Sequence, residues 1–464
     1  MLDKKTAERV LAAALANGGD FAEIFWEDMY NNALNMRNDT VESVQSGRTH
    51  GAGVRVLDGT RSVYAYTNDT GERGLLDCAG KAAAAVNAKR VIDAVTLAET
   101  TVENRHPILY SPAQTTHAQR LEVMRAAAAA AREAGPEVSL AIARYIDGDQ
   151  HVCIANSEGL YIADRRVYTR LTISAVASSG TENQTGFEGP GAMRGIELFR
   201  DFVDPAAAGR EAGERAVRML HAPVCPPGVM PVVMAGGFGG VVFHEACGHS
   251  LEATSVGTGQ SEFCGKIGQK IAADCVTAVD DGTIPNAWGS ENIDDEGLPT
   301  TRLVLIEKGV LRNYMIDRLG SRRMGSAPTG SGRRQGYAFA ATSRMRNTYI
   351  AAGTDDEDEM IATAGEGLYA AKMGGGSVNP LTGEFNFAVS EGYLVRDGKI
   401  VSPVRGATLI GKGAEILPRI DRVGPRMWMG QGMCGSLSGS VPTNVGQPRI
   451  RVTEITVGGK GGAL

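Results

Sequence analysis

The chain reads as α+β, with two smaller α+β domains followed by a large C-terminal domain built on a curved, mostly antiparallel β-sheet. Three observations predict this. Helical periodicity in the first half is confined to a few segments that alternate with strand-like runs. Short alternating apolar runs, broken by Asp-Gly, Glu-Gly and Lys-Gly turns, fill the second half. Glycine rises from 19 in residues 1–227 to 41 in residues 228–464, so the two halves are built differently. The 464 residues also exceed the roughly 100–200 usual for one domain.

Taken in order, Ala7, Val10, Leu11, Ala14 and Leu15 share one face of an N-terminal helix that Gly18 and Gly19 stop. The apolar run Val10 to Ala16 follows Lys4, Lys5 and Arg9, but Asp3 and Glu8 intrude, so this is an amphipathic helix and not a secretion signal. VRVL-DG-TRSVYAYT predicts a hairpin about Asp58-Gly59. Pro107 and Pro112 mark a first seam. Beyond it a helix is expected from His117 to Glu133, then strands in EVSLAIARYID, HVCIANS and LYIADRRVYTRLTISAVAS, then a helix from Ala206 to Leu220. Pro223, Pro226, Pro227 and Gly228 cannot continue that helix and form a stiff linker. The expected domains are therefore 1–108, 109–224 and 225–464. In the last, TRLVLIEKGVLRNYMI, GEFNFAVSEGYLVRDGKIV and PRIRVTEITV supply the curved sheet.

Composition excludes several functions. With 47 basic and 53 acidic residues interleaved and a net charge of −6, the chain has no electrostatic footprint for nucleic acid or anionic lipid. No apolar run approaches the roughly 20 residues of a membrane helix, so no membrane partner is expected. Seven scattered cysteines do not form a secreted disulfide framework and fit a reducing, cytoplasmic setting.

The segment PVVMAGGFGGVVFHEACGHSLEA carries the chemistry: a strand, a glycine-rich turn, then a helix bearing His244, Glu245 and His249. The glycines do not complete G-x-G-x-x-G, which disfavours a nucleotide site. His-Glu-x-x-x-His is one residue longer than the zinc-helix spacing. Positions i and i+4 lie about 40° apart around an α-helix, but i and i+5 about 140°, so a regular helix would aim the two imidazoles apart. One ion can be shared if the turn widens to π geometry or loosens at Gly248. The intervening glutamate would then deprotonate the water of the metal site. A catalytic zinc needs a third ligand, and two thiols are available. Cys247 lies within the motif; Cys434 lies on a glycine-flanked turn in GQGMCGSLSGSVP.

Those residues resemble the TldD side of the TldD/PmbA peptidases over nearly the whole chain. The resemblance rests on HEACGH, GKIGQKIA at 265–272, VDDGTIPNAWGSENIDDEG at 279–297, LIEKGVLRNYM at 305–315, TGSGRRQGYA at 329–338, RMRNTYI at 344–350, GEFNFAVSEGYLV at 383–395 and MCGSLSGSVPTNVGQPRIRV at 433–452. It implies a zinc peptidase in which His244, His249 and Cys434 hold the metal and Glu245 is the base. It also implies three segments matching the seams above, and pairing with an identical chain or with a metal-less PmbA-like paralogue. Glycines at 432 and 435 let the Cys434 backbone approach the helix, whereas Cys247 would crowd one side of the ion.

Three further readings complete the expectation. Arg333 and Arg334 follow a glycine-serine turn and could grip a peptide carboxylate or carbonyls through their guanidinium forks, or could lie in a solvated loop. Asp280-Asp281-Gly282 and Asp294-Asp295-Glu296-Gly297 lack the further ligands of calcium loops and read as turns. The expected function is zinc-dependent hydrolysis of unfolded or flexible peptides in an enclosed β-walled chamber, with Glu245 activating a zinc-bound water. The alternative is a non-catalytic peptide-binding or assembly protein with structural histidines.

Overall fold

A computed structural model describes residues 1–92, 94–379 and 382–459, so positions 93, 380, 381 and 460–464 of the expected domains lie outside the described residues. The first element is α1 (Lys4–Ala14), capped by Asp3, whose side chain accepts from the Thr6 amide. It is followed by β1 (Phe21–Arg37), β2 (Thr40–Asp58), β3 (Arg61–Thr67), α2 (Glu72–Ala84) and β4 (Ala98–Thr100). The hairpin turns at Asp58-Gly59 as expected, with Asp58 opposite Arg61. Next come α3 (His117–Glu133), β5 (Val138–Asn156), β6 (Leu160–Ser179), β7 (Glu182–Glu188), β8 (Gly191–Ala192) and α4 (Pro205–His221).

One sheet runs through both of these segments, in the order β3-β2-β1-β5-β6-β4, with β7 and β8 on β6. β1 pairs antiparallel with β5 from Glu23↔Asn156 to Arg37↔Ile142. The seam near residue 108 therefore divides helices and connections, while the strands on either side of it join.

Alternation along the strands sorts the two faces of this sheet. Ala22, Ile24 and Trp26 on β1 pack with α1 and α2, and Leu34 and Met36, of the same parity, pack with α3 and α4. All four helices thus cover one face. The alanine-rich α3 and the glycines of α4 permit close contact: a Cβ on Gly209 would meet the Ala127 carbonyl at 1.9 Å. The other face carries Glu23, Phe25 and Glu27 and is turned towards the C-terminal domain, where Ile293 packs with Phe25, Val152 and Ile154.

The C-terminal domain contains β9 (Gly228–Met234), β10 (Ala278–Asp281), β11 (Arg302–Glu307), β12 (Val310–Leu311), β13 (Gly332–Arg333), β14 (Thr342–Ser343), β15 (Asn347–Ile350), β16 (Gly367–Val378), β17 (Glu384–Arg396), β18 (Lys399–Val404), β19 (Thr408–Lys412), β20 (Ile420–Val423), β21 (Trp428–Ser436), β22 (Gly439–Gln447) and β23 (Ile450–Gly458). The predicted curvature goes to closure: β16, β9, β23, β19 and β17 form a ring, because β16 also pairs with β17. A second sheet, β12-β11-β10-β15-β22-β21, ends in β21, whose outer edge pairs with no other strand among the described residues. Most pairs are antiparallel; β16 with β9 and β15 with β22 are parallel. The helical segment Gly237–Leu251 leaves β9 and enters between the two sheets, contributing Val241, Val242, Phe243 and Ala246 to the largest core.

Candidate metal centre

Gly240 lets this segment lie against β22, since a Cβ there would meet the Gly446 carbonyl at 2.4 Å. From His244 to Gly248 the backbone adopts a π turn, and the His249 amide donates to the His244 carbonyl five residues back. The widened turn overcomes the i, i+5 divergence. It places the two imidazole centroids 5.1 Å apart, with the rings at 82° to one another.

Cys434 approaches from β21, opposite Val441 on β22. Its Sγ lies 3.4 Å from His244 Nε2 and 3.3 Å from His249 Nε2, and the three donor atoms lie within 4.8 Å of one another. Ligands of a tetrahedral ion held at about 2.0–2.3 Å are themselves roughly 3.3–3.6 Å apart, so this spacing fits one metal. Burial alone would raise the Cys434 thiol, but the His244 and His249 imidazoles outweigh it and bring the pKa down to about 3. A thiolate and two imidazoles are a donor set suited to a borderline-soft cation.

Glu245 stands at the open side, 28% exposed, with Oε2 3.7 Å from His249 Nε2. Cys247 is turned the other way, buried among Met234, Val242, Phe243, Ile416 and Ile450. Burial pushes its thiol well above the usual range, and no donor of the cluster touches it.

Two supporting residues are absent from the sequence-based expectation. His249 Nδ1 donates to buried Glu252 Oε2 at 3.1 Å, which orients the ring with Nε2 towards Cys434. A carboxylate three residues after the second histidine was the available signal. Arg344 is also buried; its Nη2 donates to the Cys434 carbonyl, and its Nη1 donates to Ser438 Oγ (3.0 Å) and the Gly439 carbonyl (2.9 Å), pinning the β21–β22 turn.

Arg333 and Arg334 are buried and lie between the N-terminal sheet and the C-terminal domain, not in a solvated loop. Arg333 donates to the Met345 and Pro442 carbonyls and pairs with Glu291 at 3.2 Å. Arg334 pairs with Glu23 at 2.8 Å and donates to the Asp295 carbonyl. Their Nη donors are thus occupied within the chain. The acidic stretch 294–297 belongs to the same region, whereas Asp280 and Asp281, expected in a turn, lie in β10. Asp294 accepts from the Glu296, Leu298 and Gly332 amides, Asp295 receives Arg166 at 2.6 Å, and Glu296 receives Arg55 at 2.7 Å.

Three successive segments of the chain match the domains of one class of protein, the metallopeptidases. The chain is a member of the PmbA/TldA metallopeptidase family: residues 22–86 match its domain 1, 110–220 its central domain and 227–459 its C-terminal domain. A Haemophilus influenzae protein named Metalloprotease TldD homolog is 35% identical over 95% of this chain and 93% of its own length. A Methanothermobacter thermautotrophicus protein named Metalloprotease is 32% identical over 95% of this chain and 96% of its own. The fold is shared with solved TldE from Thermococcus kodakarensis, at TM-score 0.77 and 17% identity over 97% of this chain and 99% of that one. It is shared too with a Thermotoga maritima protein provisionally described as a modulator of a DNA gyrase, at TM-score 0.79 and 20% identity over 98% and 99%.

Proposed function

We propose that the chain is a zinc-dependent peptidase acting on unfolded or flexible peptides within a β-walled chamber. The observation that carries this reading is the convergence of His244, His249 and Cys434 within 4.8 Å beside the half-open carboxylate of Glu245. When bound, the ion would supply a Lewis acid that polarises the scissile carbonyl and acidifies water. Every other role falls to the chain. Glu245 takes the proton of the attacking water and returns it to the leaving amine. Glu252 holds His249 in the tautomer whose Nε2 is free to ligate. Cys434 would hold the ion beside β21, the outermost strand of its sheet, where an extended peptide would lie.

Pairing with a second chain, either identical or a metal-less PmbA-like paralogue, is part of the proposal. Trp428, Met433 and Leu437 on the β21 hairpin are large, apolar and exposed, as a covered surface requires. Seven free cysteines support a cytoplasmic setting.

The test is digestion of flexible peptides by the purified chain, alone and with the paralogue, before and after chelation and on return of zinc. Cleavage abolished by chelation and restored by zinc supports the reading. Metal-free protein that neither cuts nor changes on zinc addition overturns it in favour of the non-catalytic alternative.

A further inference from the structure

An open cleft of about 580 Å³ is walled by Gly236–Gly239, by Ala370–Gly375 of β16 and by Trp428–Gly432 of β21, the strand that also carries Cys434. Its rim carries the exposed rings of Phe187 and Trp428. Arg170 of β6 also lines this cleft, although only 8% of the residue is exposed.

Arg170 differs from most of the buried arginines; Arg344 is also without an ion pair among the described residues, but both its Nη atoms are taken by Ser438, Gly439 and Cys434 oxygens and it does not line the cleft. Arg55, Arg120, Arg166, Arg215, Arg333 and Arg334 each touch a carboxylate. Arg170 has no ion pair among the described residues. Its Nε donates to the Gly189 carbonyl at 3.2 Å and its Nη2 to the Gln431 carbonyl at 2.9 Å. The guanidinium lies 5.4 Å from the Trp288 ring centroid. Nη1 has no partner. The acid nearest to hand along the cleft wall, Glu188, is already taken by Lys372 at 2.6 Å and Arg215 at 2.8 Å. Burial without a counter-charge pulls the Arg170 pKa down to about 10, so it remains cationic at neutral pH. A buried cation is stabilised when an anion completes it, and a guanidinium fork matches a carboxylate.

We propose that Arg170 is the anion-binding end of the peptide groove and receives a carboxylate of the substrate, either the C-terminal carboxylate or an Asp or Glu side chain. The inference rests on the peptidase reading for its ligand. Gln431, which Arg170 touches, is three residues from Cys434 on the same strand, or about 10 Å at 3.3 Å per residue. A peptide with its carboxylate on Arg170 that ran parallel to this stretch, outside the Trp288–Gly432 contact, would bring a bond about three residues upstream to the metal centre.

The test is calorimetric binding to the full-length Glu245→Gln chain, with and without Arg170→Gln. Three N-acetylated peptides of one apolar sequence are compared: the free acid, the C-terminal amide, and the amide carrying one internal Glu. With Arg170 present, at least one carboxylate-bearing peptide should bind about 10–100-fold more tightly than the plain amide, the amount a charge-assisted pair contributes. Which one does so identifies the source of the carboxylate. Arg170→Gln should reduce the preference to within about 2-fold while leaving amide binding and metal content unchanged. Arg170→Lys, which keeps the charge and loses the fork, should retain an intermediate preference and serves if the glutamine variant does not fold. Equal binding of all three peptides to the Arg170 chain, or a preference that survives Arg170→Gln, overturns the subsite. Failure of the peptidase reading is distinct: the wild-type chain would then cut none of these peptides whatever their binding order.

Discussion

His249 Nδ1 and Glu252 Oε2 are 3.1 Å apart, on the side of the ring away from Cys434, so the helical segment supplies a candidate ligand and the extended residue that follows it supplies the group that orients that ligand. Replacing Glu252 by Gln keeps the side-chain shape and removes the charge. Metal affinity should fall about 10–100-fold, as measured by competition with a chromogenic chelator. The fold should persist, because glutamine has the same shape and the backbone bridge of residue 252 to Met315 is kept. Unchanged affinity would mean that the contact does not tune the site.

Glu245→Gln should leave metal content and thermal stability close to wild type while lowering peptide turnover by about 10²–10⁴-fold. The side chain is half-open and makes no buried hydrogen bond that the fold needs. Initial-rate measurements on metal-replete protein check this, and normal turnover would remove Glu245 from the role of base.

Much of this centre was legible because it is local. The 140° divergence of His244 and His249 on a regular helix required either a π turn or a loosening at Gly248, and the π turn at His244–Gly248 is the one present. The helix His117–Glu133 was also readable, with Thr116 accepting from the Gln119 amide as its cap. What stayed hidden is non-local. Glu23 and Glu27 alternate with apolar neighbours on β1 and look like a solvent face, yet both are buried against partners about 310 residues away: Arg334 and the Tyr337 amide. The pairing of β1 with β5, the ring closure through β16 and β17 and the pairing of Arg333 with Glu291 each depend on tertiary register that no window of sequence contains.

Glu291 makes that buried charge cluster testable by pH. Burial would raise its carboxyl, but Arg333, Arg166 and Arg346 outweigh it and hold the pKa down to about 2. The folded value lies below the unfolded value of 4.5, so the stabilisation is complete above about pH 5 and is lost as pH falls towards 2. Thermal melts of the chain should therefore drop steeply between pH 5 and pH 3. Glu291→Gln should destabilise by roughly 3 kcal/mol at pH 7, because it strands paired cations, and should show a shallower acid slope than wild type. Parallel slopes would place the acid sensitivity elsewhere.

The central claim is that His244, His249 and Cys434 hold one ion and that Cys247 takes no part. Elemental analysis of the purified full chain and its Cys434→Ala and Cys247→Ala variants tests it most directly. One metal per chain is expected in the wild type and in Cys247→Ala, and loss of most of the metal in Cys434→Ala. Metal retained by Cys434→Ala but lost from Cys247→Ala would contradict it and move the third ligand into the helix.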